Sequence, residues 1–308
     1  LPCAVSGIAL QAVNQSMDSG SRYSKLKKRH RLLALLRILR IQNLLIIACC
    51  QVLAGIQLFE TSFWNQPSGI SGMVLLVLAS TFSAAAGYLI NDYYDVKIDV
   101  VNKPRRVVVG KVISRRQTMM LHLIFIFLAL LSAFPLGKKV FFVVALCSAW
   151  LWLYSNRLKR LPLIGNVSVS LLTSCAVYLP GLVFPGAKDA LILFSVFSFW
   201  ISLIREVVKD MEDMRGDGRH GCRTLPIVLG IRKTKYFLYA AGLLFTLSFC
   251  VSFFFLPGIW IPAALALSFP LAGLFYRIYK ADTVRAFAGI SRFCKWFMMA
   301  GMAAMLLL

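Results

Sequence analysis

Acid is what this chain lacks. Of its 308 residues only 12 are Asp or Glu, against 34 Lys and Arg, leaving a formal charge of +22. Histidine is scarce too, and His30, His122 and His220 are too scattered to compose a metal cluster. Eight cysteines are present, but none stand in a C-x-x-C pair and most fall inside apolar runs, where Cys acts as a small hydrophobe. These absences argue against a disulfide framework and against a zinc site. Alternation at period two is missing, which argues against a β-barrel. The leading thirty residues lack the basic n-region and long apolar h-region of a secretory signal. The chain opens on Leu rather than Met, which makes Met17 a candidate start.

Apolar length is what the chain has. It is 59% hydrophobic with a mean hydropathy of +0.75. Near-continuous apolar runs of about 18 to 25 residues recur, the length that crosses a bilayer. Nine spans are predicted, over roughly 33–58, 71–91, 117–136, 139–156, 163–183, 190–208, 236–256, 258–277 and 287–308. The short turns "FPLGKK" and "FLPGIW" suit helical hairpins. Inside a bilayer a helix satisfies its own backbone groups, so the fold class is all-α: a polytopic bundle around a central cavity open to the cytosolic side. Residues 1–32 are expected to be a basic, flexible leading segment, and 33–308 a single nine-helix domain.

So much positive charge raises the possibility of nucleic acid, but its distribution argues otherwise. Only Lys138, Lys139 and Lys188 fall in odd-numbered loops, which is the positive-inside asymmetry. It places the N-terminus and the even loops in the cytosol. The run from Lys25 to Arg31 is expected to lie against anionic membrane lipids. The predicted location is multi-pass and integral, in a prokaryotic cell membrane, with no nucleic-acid partner.

The few acids are not spread evenly. Eight of the twelve fall in two clusters: Asp92, Asp95 and Asp99, then Glu206, Asp210, Glu212, Asp213 and Asp217. Asp92, Asp95 and Asp99 stand at i, i+3, i+7, one stripe of a helix, with Asn91 and Asp95 sharing an edge. Asp210, Asp213 and Asp217 repeat that spacing. Like charges so stacked destabilise a helix near lipid, and something cationic must offset them. Carboxylate oxygens with an Asn carbonyl are hard ligands suited to Mg²⁺, whose shell is usually completed by water and phosphate oxygens. Lys97, Lys103, Arg105, Arg106, Lys159 and Arg160 surround the clusters and are candidates to grip phosphate. Arg205 sits just inside the sixth span, where a charge needs a partner such as the acid cluster.

An anionic, metal-chelated head with a long apolar body describes a polyprenyl diphosphate. Two Mg²⁺ ions bridging it would help the allylic C–O bond ionise. The resulting cation needs a dry pocket and benefits from aromatic faces. Of 39 aromatic residues, Tyr93, Tyr94, Tyr154, Tyr178 and Trp200 are the candidates near the site.

"NDYYDVKID" at 91–99 resembles the N-D-x-x-D-x-x-x-D motif of the UbiA superfamily of intramembrane prenyltransferases, and "KDMEDMRGD" at 209–217 resembles its second aspartate-rich motif. Further matches are "LRILRIQN", "NKPRRVVVGKVISRR", "YSNRLKRLPLIGN" and "GCRTLPIVLG". The resemblance implies Mg²⁺-dependent transfer of a prenyl chain from its diphosphate to a nucleophilic acceptor. By motif, Asn91, Asp92, Asp95 and Asp99 would serve one metal and Asp210, Asp213 and Asp217 the other. Asp95, Asp213 and Asp217 would be catalytic, one of the second set activating the acceptor. Asn43 and Tyr154 join the diphosphate-contacting set. Val107 departs from the pattern, since many relatives carry proline there. "REVVKDMEDMRGD" looks most like the branch that geranylgeranylates geranylgeranylglycerol phosphate. Aromatic acceptors of quinone synthesis, or cyclisation with no acceptor, stay open. An ion-coupled transporter is the rival from another class, but it would place isolated acids on broken helices near the bilayer midplane.

Overall fold

The computed structural model describes residues 32–58, 67–104, 107–184, 186, 188–255, 258 and 260–307. The leading segment 1–31, with its basic run, lies outside them, as do Arg105 and Arg106. Nine α-helices of fifteen residues or more occur among the described residues: α1 Ile41–Leu58, α2 Pro67–Asn102, α3 Arg115–Ala133, α4 Lys138–Asn156, α5 Ile164–Tyr178, α6 Lys188–Arg219, α7 Leu225–Phe255, α8 Trp260–Lys280 and α9 Val284–Ala304. Each overlaps one expected span. Five, namely α2, α3, α4, α6 and α7, are long and apolar enough to cross a membrane by length and composition. A sixth is reached if the preceding helix Leu32–Ile38, bent by 55° from α1, counts with it as one broken span.

The helix ends differ most from expectation. α2 runs to Asn102 rather than stopping near 91, and α6 runs to Arg219 rather than 208. Hydropathy ends where charge begins, but backbone hydrogen bonding does not. At 1.5 Å per residue α2 is about 54 Å long, whereas about 30 Å crosses the hydrocarbon. Each helix therefore carries its acidic stripe on a last third that outruns its apolar part. α7 starts at Leu225, earlier than expected, because a short helical piece joins the expected span across a kink at Gly230, whose φ of 77° favours glycine.

α2 and α6 are the two most enclosed spans and form the axis of the bundle. α2 packs on α1, α3, α4 and α6, while α6 packs on α5, α7 and α9. Buried polar side chains tie helices together where lipid offers no partner. Gln51 of α1 donates to Ser80 Oγ of α2 at 2.8 Å and to the Ala176 carbonyl of α5 at 2.9 Å. Ser83 of α2 and Ser148 of α4 meet at 2.9 Å. His122 Nδ1 of α3 lies 2.9 Å from the Ala86 carbonyl of α2. Outward-facing Phe127, Phe134, Phe142, Phe254 and Phe269 are largely exposed on the bundle's outer surface, as a lipid-facing coat requires.

Candidate active site

The site begins with a clamp at the tips of α2 and α6. Asn102, the last residue of α2, donates from Nδ2 to the Asp213 carbonyl at 3.1 Å. Its Oδ1 accepts from the Gly216 backbone N–H at 2.8 Å. A Cβ at Gly216 would lie 2.3 Å from that oxygen, so only glycine admits the contact. The clamp sets the two acidic stripes face to face.

Each stripe meets cations and amides from other elements. Arg40, in the bend before α1 with a φ of 51°, brings Nη2 to 2.9 Å from Asp92 Oδ1 and lies over the Tyr88 ring at 4.9 Å. Lys159, in the turn between α4 and α5, places Nζ 2.5 Å from Asp95 Oδ1 and 3.5 Å from Asn91 Oδ1. Lys103 reaches Asp213 Oδ2 at 2.6 Å, a bond from beyond α2 to α6. Asn166 of α5 donates to Asp210 Oδ2 at 2.8 Å. Asp99 and Asp217 line the cavity and make no ion pair among the described residues. Arg205 is paired as a charge in that position must be, through Nη1 to Glu206 Oε1 at 2.7 Å, and Lys209 takes the other carboxylate oxygen at 2.9 Å.

These groups form the polar end of a cavity of about 1200 Å³. Pockets for drug-sized molecules run to roughly 300–1,000 Å³, so this one has room for a lipid. Its body is apolar, walled by Ile46, Val144, Leu172, Phe197 and Phe249 among others. Phe197 and Phe249 have ring centroids 5.3 Å apart, and Phe245 lies 6.0 Å from Phe197.

Most of the sequence-derived candidates converge here: Asn43, Asn91, Asp92, Asp95, Asp99, Lys103, Tyr154, Lys159, Arg205, Asp210, Asp213 and Asp217 all line the cavity. Lys97 does not; it is exposed, two residues from Asp95 and therefore on the opposite face of α2. Arg160 also lies off the cavity wall, its carbonyl accepting from the Arg223 backbone N–H. Of the aromatic candidates only Tyr154 lines the cavity. Tyr93 instead packs against Tyr94 and beneath Arg115, and the aromatic wall comes from Tyr88, Phe194, Phe197, Phe245, Phe249 and Phe297. Sequence reasoning passed over Arg40, Asn102 and Asn166. Arg40 stands three residues before Asn43 in "LRILRIQN", and that spacing is the signal that could have found it.

The donor set suits a hard cation. Among the described residues no three His, Cys, Asp or Glu side chains are grouped tightly enough to hold an ion by themselves. Mg²⁺ does not ask for that, since one or two carboxylates with water and phosphate suffice. The Lys159 ammonium between Asn91 and Asp95 shows that a cation is accommodated among these oxygens. The residues fit the metal.

The family model described as UbiA prenyltransferase family matches residues 61–300. The chain belongs to this family. It is accordingly an enzyme, a prenyltransferase, and its apolar helices are those of an integral membrane protein. The digeranylgeranylglyceryl phosphate synthase of Pyrococcus horikoshii is 33% identical over 215 residues, 70% of this chain and 76% of that protein. A solved structure described as giving insights into digeranylgeranylglyceryl phosphate synthase in membranes superposes with a TM-score of 0.71 at 22% identity, covering 90% of this chain and 98% of the other. A UbiA homologue from Archaeoglobus fulgidus bound to GPP and Mg²⁺ gives a TM-score of 0.64 at 18% identity, covering 88% and 99%. Both share this fold.

Proposed function

We propose that this prenyltransferase moves a polyprenyl group, geranylgeranyl in the favoured case, from its diphosphate to the hydroxyl of a prenylglycerol phosphate, releasing pyrophosphate. The observation that carries the reading is the pair of acidic stripes, on α2 and α6, that meet at the polar end of a lipid-sized apolar cavity. The identity to a digeranylgeranylglyceryl phosphate synthase supports the choice of acceptor.

In this reading Asn91, Asp92, Asp95 and Asp99 would hold one Mg²⁺, and Asp210, Asp213 and Asp217 would hold the second. When bound, the metal neutralises the diphosphate and so weakens the allylic C–O bond. Lys103, Lys159 and Arg40 exchange their carboxylate partners for diphosphate oxygens and steady the departing charge. Asn43 and Tyr154 add polar contacts at the same end. The apolar body holds the prenyl chain straight and keeps water from the allylic carbon, while the Phe197–Phe245–Phe249 cluster offers ring faces to positive charge. The acceptor oxygen attacks that carbon as the C–O bond to diphosphate breaks, and its proton passes to Asp213 or Asp217. In this reading the polar end of the bundle faces the cytosol of a prokaryotic cell, an orientation that the positive-inside pattern supports.

The test is product mass spectrometry. Purified protein receives geranylgeranyl diphosphate with geranylgeranylglycerol phosphate, with an aromatic quinone precursor, or alone, each with and without Mg²⁺. A doubly prenylated glycerol phosphate formed only with Mg²⁺ is the expected product. Turnover confined to the aromatic acceptor, or a cyclic product formed with no acceptor, would overturn the acceptor assignment.

A further inference from the structure

A second group of cations lies beyond the second acidic stripe along α6. Arg205 stands eight residues before Asp213 on α6, about 12 Å along the axis at 1.5 Å per residue. Its Nη1 is held by Glu206, but its Nε–H is buried without a hydrogen-bond partner in a side chain that lines the cavity. From α9, Lys295 lines the same cavity. Its Nζ lies 3.3 Å from the neutral Oε1 of Gln42 and makes no ion pair among the described residues. Lys295 and Arg205 stand on α9 and α6, which pack against one another.

The charges here do not balance. Arg205, Lys209 and Lys295 contribute three positive charges and Glu206 and the adjacent Asp210 two negative, so one positive charge is left over, and Lys295 is the member with no carboxylate of its own. Uncompensated like charges among apolar helices are costly, and ionisable groups so placed mark ligand positions. A phosphate monoester carries about −1.5 to −2 at neutral pH, the sign that the surplus calls for. An arginine N–H without a partner and a lysine point charge are the usual pair for it. Met298 and Met302 follow Lys295 at i+3 and i+7 on α9 and line the cavity, so an apolar tail attached to that phosphate would run along one helix face.

We propose that Arg205, Lys295 and Gln42 form the pocket for the acceptor's phosphate, and that this pocket makes the enzyme prefer a phosphorylated glycerol lipid to an uncharged one. The proposal rests on the acceptor reading above. It assigns Arg205 to the acceptor rather than to the donor diphosphate.

The test compares geranylgeranylglycerol phosphate with its dephosphorylated form, with geranylgeranyl diphosphate as donor. Lys295→Met is expected to raise the KM of the phosphorylated acceptor about tenfold or more, to leave the donor KM within about twofold, and to erase the preference for phosphate. Lys295→Arg should restore most of that preference, which a merely structural role for Lys295 would not do. Equal rises in donor and acceptor KM, or an intact phosphate preference in Lys295→Met, would overturn the proposal. Excess phosphatidylglycerol in neutral micelles should leave the acceptor KM unchanged. A competitive rise that Lys295→Met abolishes would give the pocket to a bilayer phospholipid instead and would also overturn it. Equilibrium binding of the two acceptor lipids without donor separates this proposal from the acceptor reading. If the wild type turns over neither lipid yet binds the phosphorylated one at least about tenfold tighter through Lys295, the pocket stands and the reaction assignment falls. Equal binding of the two lipids removes the pocket.

Discussion

The ammonium of Lys159 lies 2.5 Å from Asp95 Oδ1, joining the α4–α5 turn to the first acidic stripe across 64 residues of chain. An aspartate serving only as a solvated helix end would not need a largely buried lysine brought to it from another helix pair. Lys159→Gln is expected to raise the donor KM about tenfold or more while sparing the acceptor KM, because a phosphate ligand is lost and Asp95 is left unpaired. Initial rates at varied geranylgeranyl diphosphate measure this.

Asp95→Ala and Asp213→Ala remove one carboxylate from each stripe. Each is expected to lower pyrophosphate release by about a hundredfold or more. Unchanged release in both variants would end the metal–diphosphate reading of the stripes.

Gly216→Ala tests the clamp. The added methyl meets Asn102 at 2.3 to 2.5 Å, so the tips of α2 and α6 must part. A loss of stability of about 1–3 kcal/mol is expected from the overpacking, with kcat falling further than that loss explains. Thermal unfolding and turnover at saturating substrate give the two numbers. Asn102→Ala should lower kcat without the steric component.

Cys147 of α4 and Cys175 of α5 face one another with sulfurs 3.8 Å apart, and both line the cavity. Hydrogen peroxide should oxidise the pair to a disulfide, each thiol losing one hydrogen as peroxide is reduced to water. Peptide mass spectrometry will show the link, and bound geranylgeranyl diphosphate should slow its formation by occupying the cavity.

Gly301 of α9 lines the cavity, and a Cβ built there meets no atom within 4 Å. Gly301→Phe should fill the apolar body and shift preference from a twenty-carbon to a ten-carbon prenyl diphosphate, about tenfold in the ratio of kcat/KM values. Competition between the two donors measures that ratio directly.

The acidic stripes were legible in the sequence because acid is scarce and the i, i+3, i+7 spacing has one helical meaning. Arg205 was legible as a charge needing a partner, and Glu206 is that partner. The helix ends were not legible, since hydropathy reports the solvent a segment meets and says nothing of where its hydrogen bonds stop; α2 continues through Asp92, Asp95 and Asp99 to Asn102. Lys97 was misplaced although the register needed to exclude it was already in hand, two residues being 200° on a helix. Arg40, Asn102 and Asn166 depend on a left-handed backbone position, a helix tip and a neighbouring helix respectively. None of these leaves a periodic trace. The aromatic wall was sought in Tyr and Trp near the motifs, but Phe197, Phe245 and Phe249 meet only once α6 and α7 are packed.

Arg40, Lys103 and Lys159 also bear on how the protein is made. With each seated on an aspartate, three of the six stripe aspartates are already neutralised from within, so the bundle can assemble and persist before any divalent ion arrives. Proteins whose fold is created by a metal unfold when it is withdrawn. Here chelation should stop turnover while leaving the melting temperature essentially unmoved, and added Mg²⁺ should restart the enzyme at once. Biogenesis in the membrane and supply of the ion are thereby independent events.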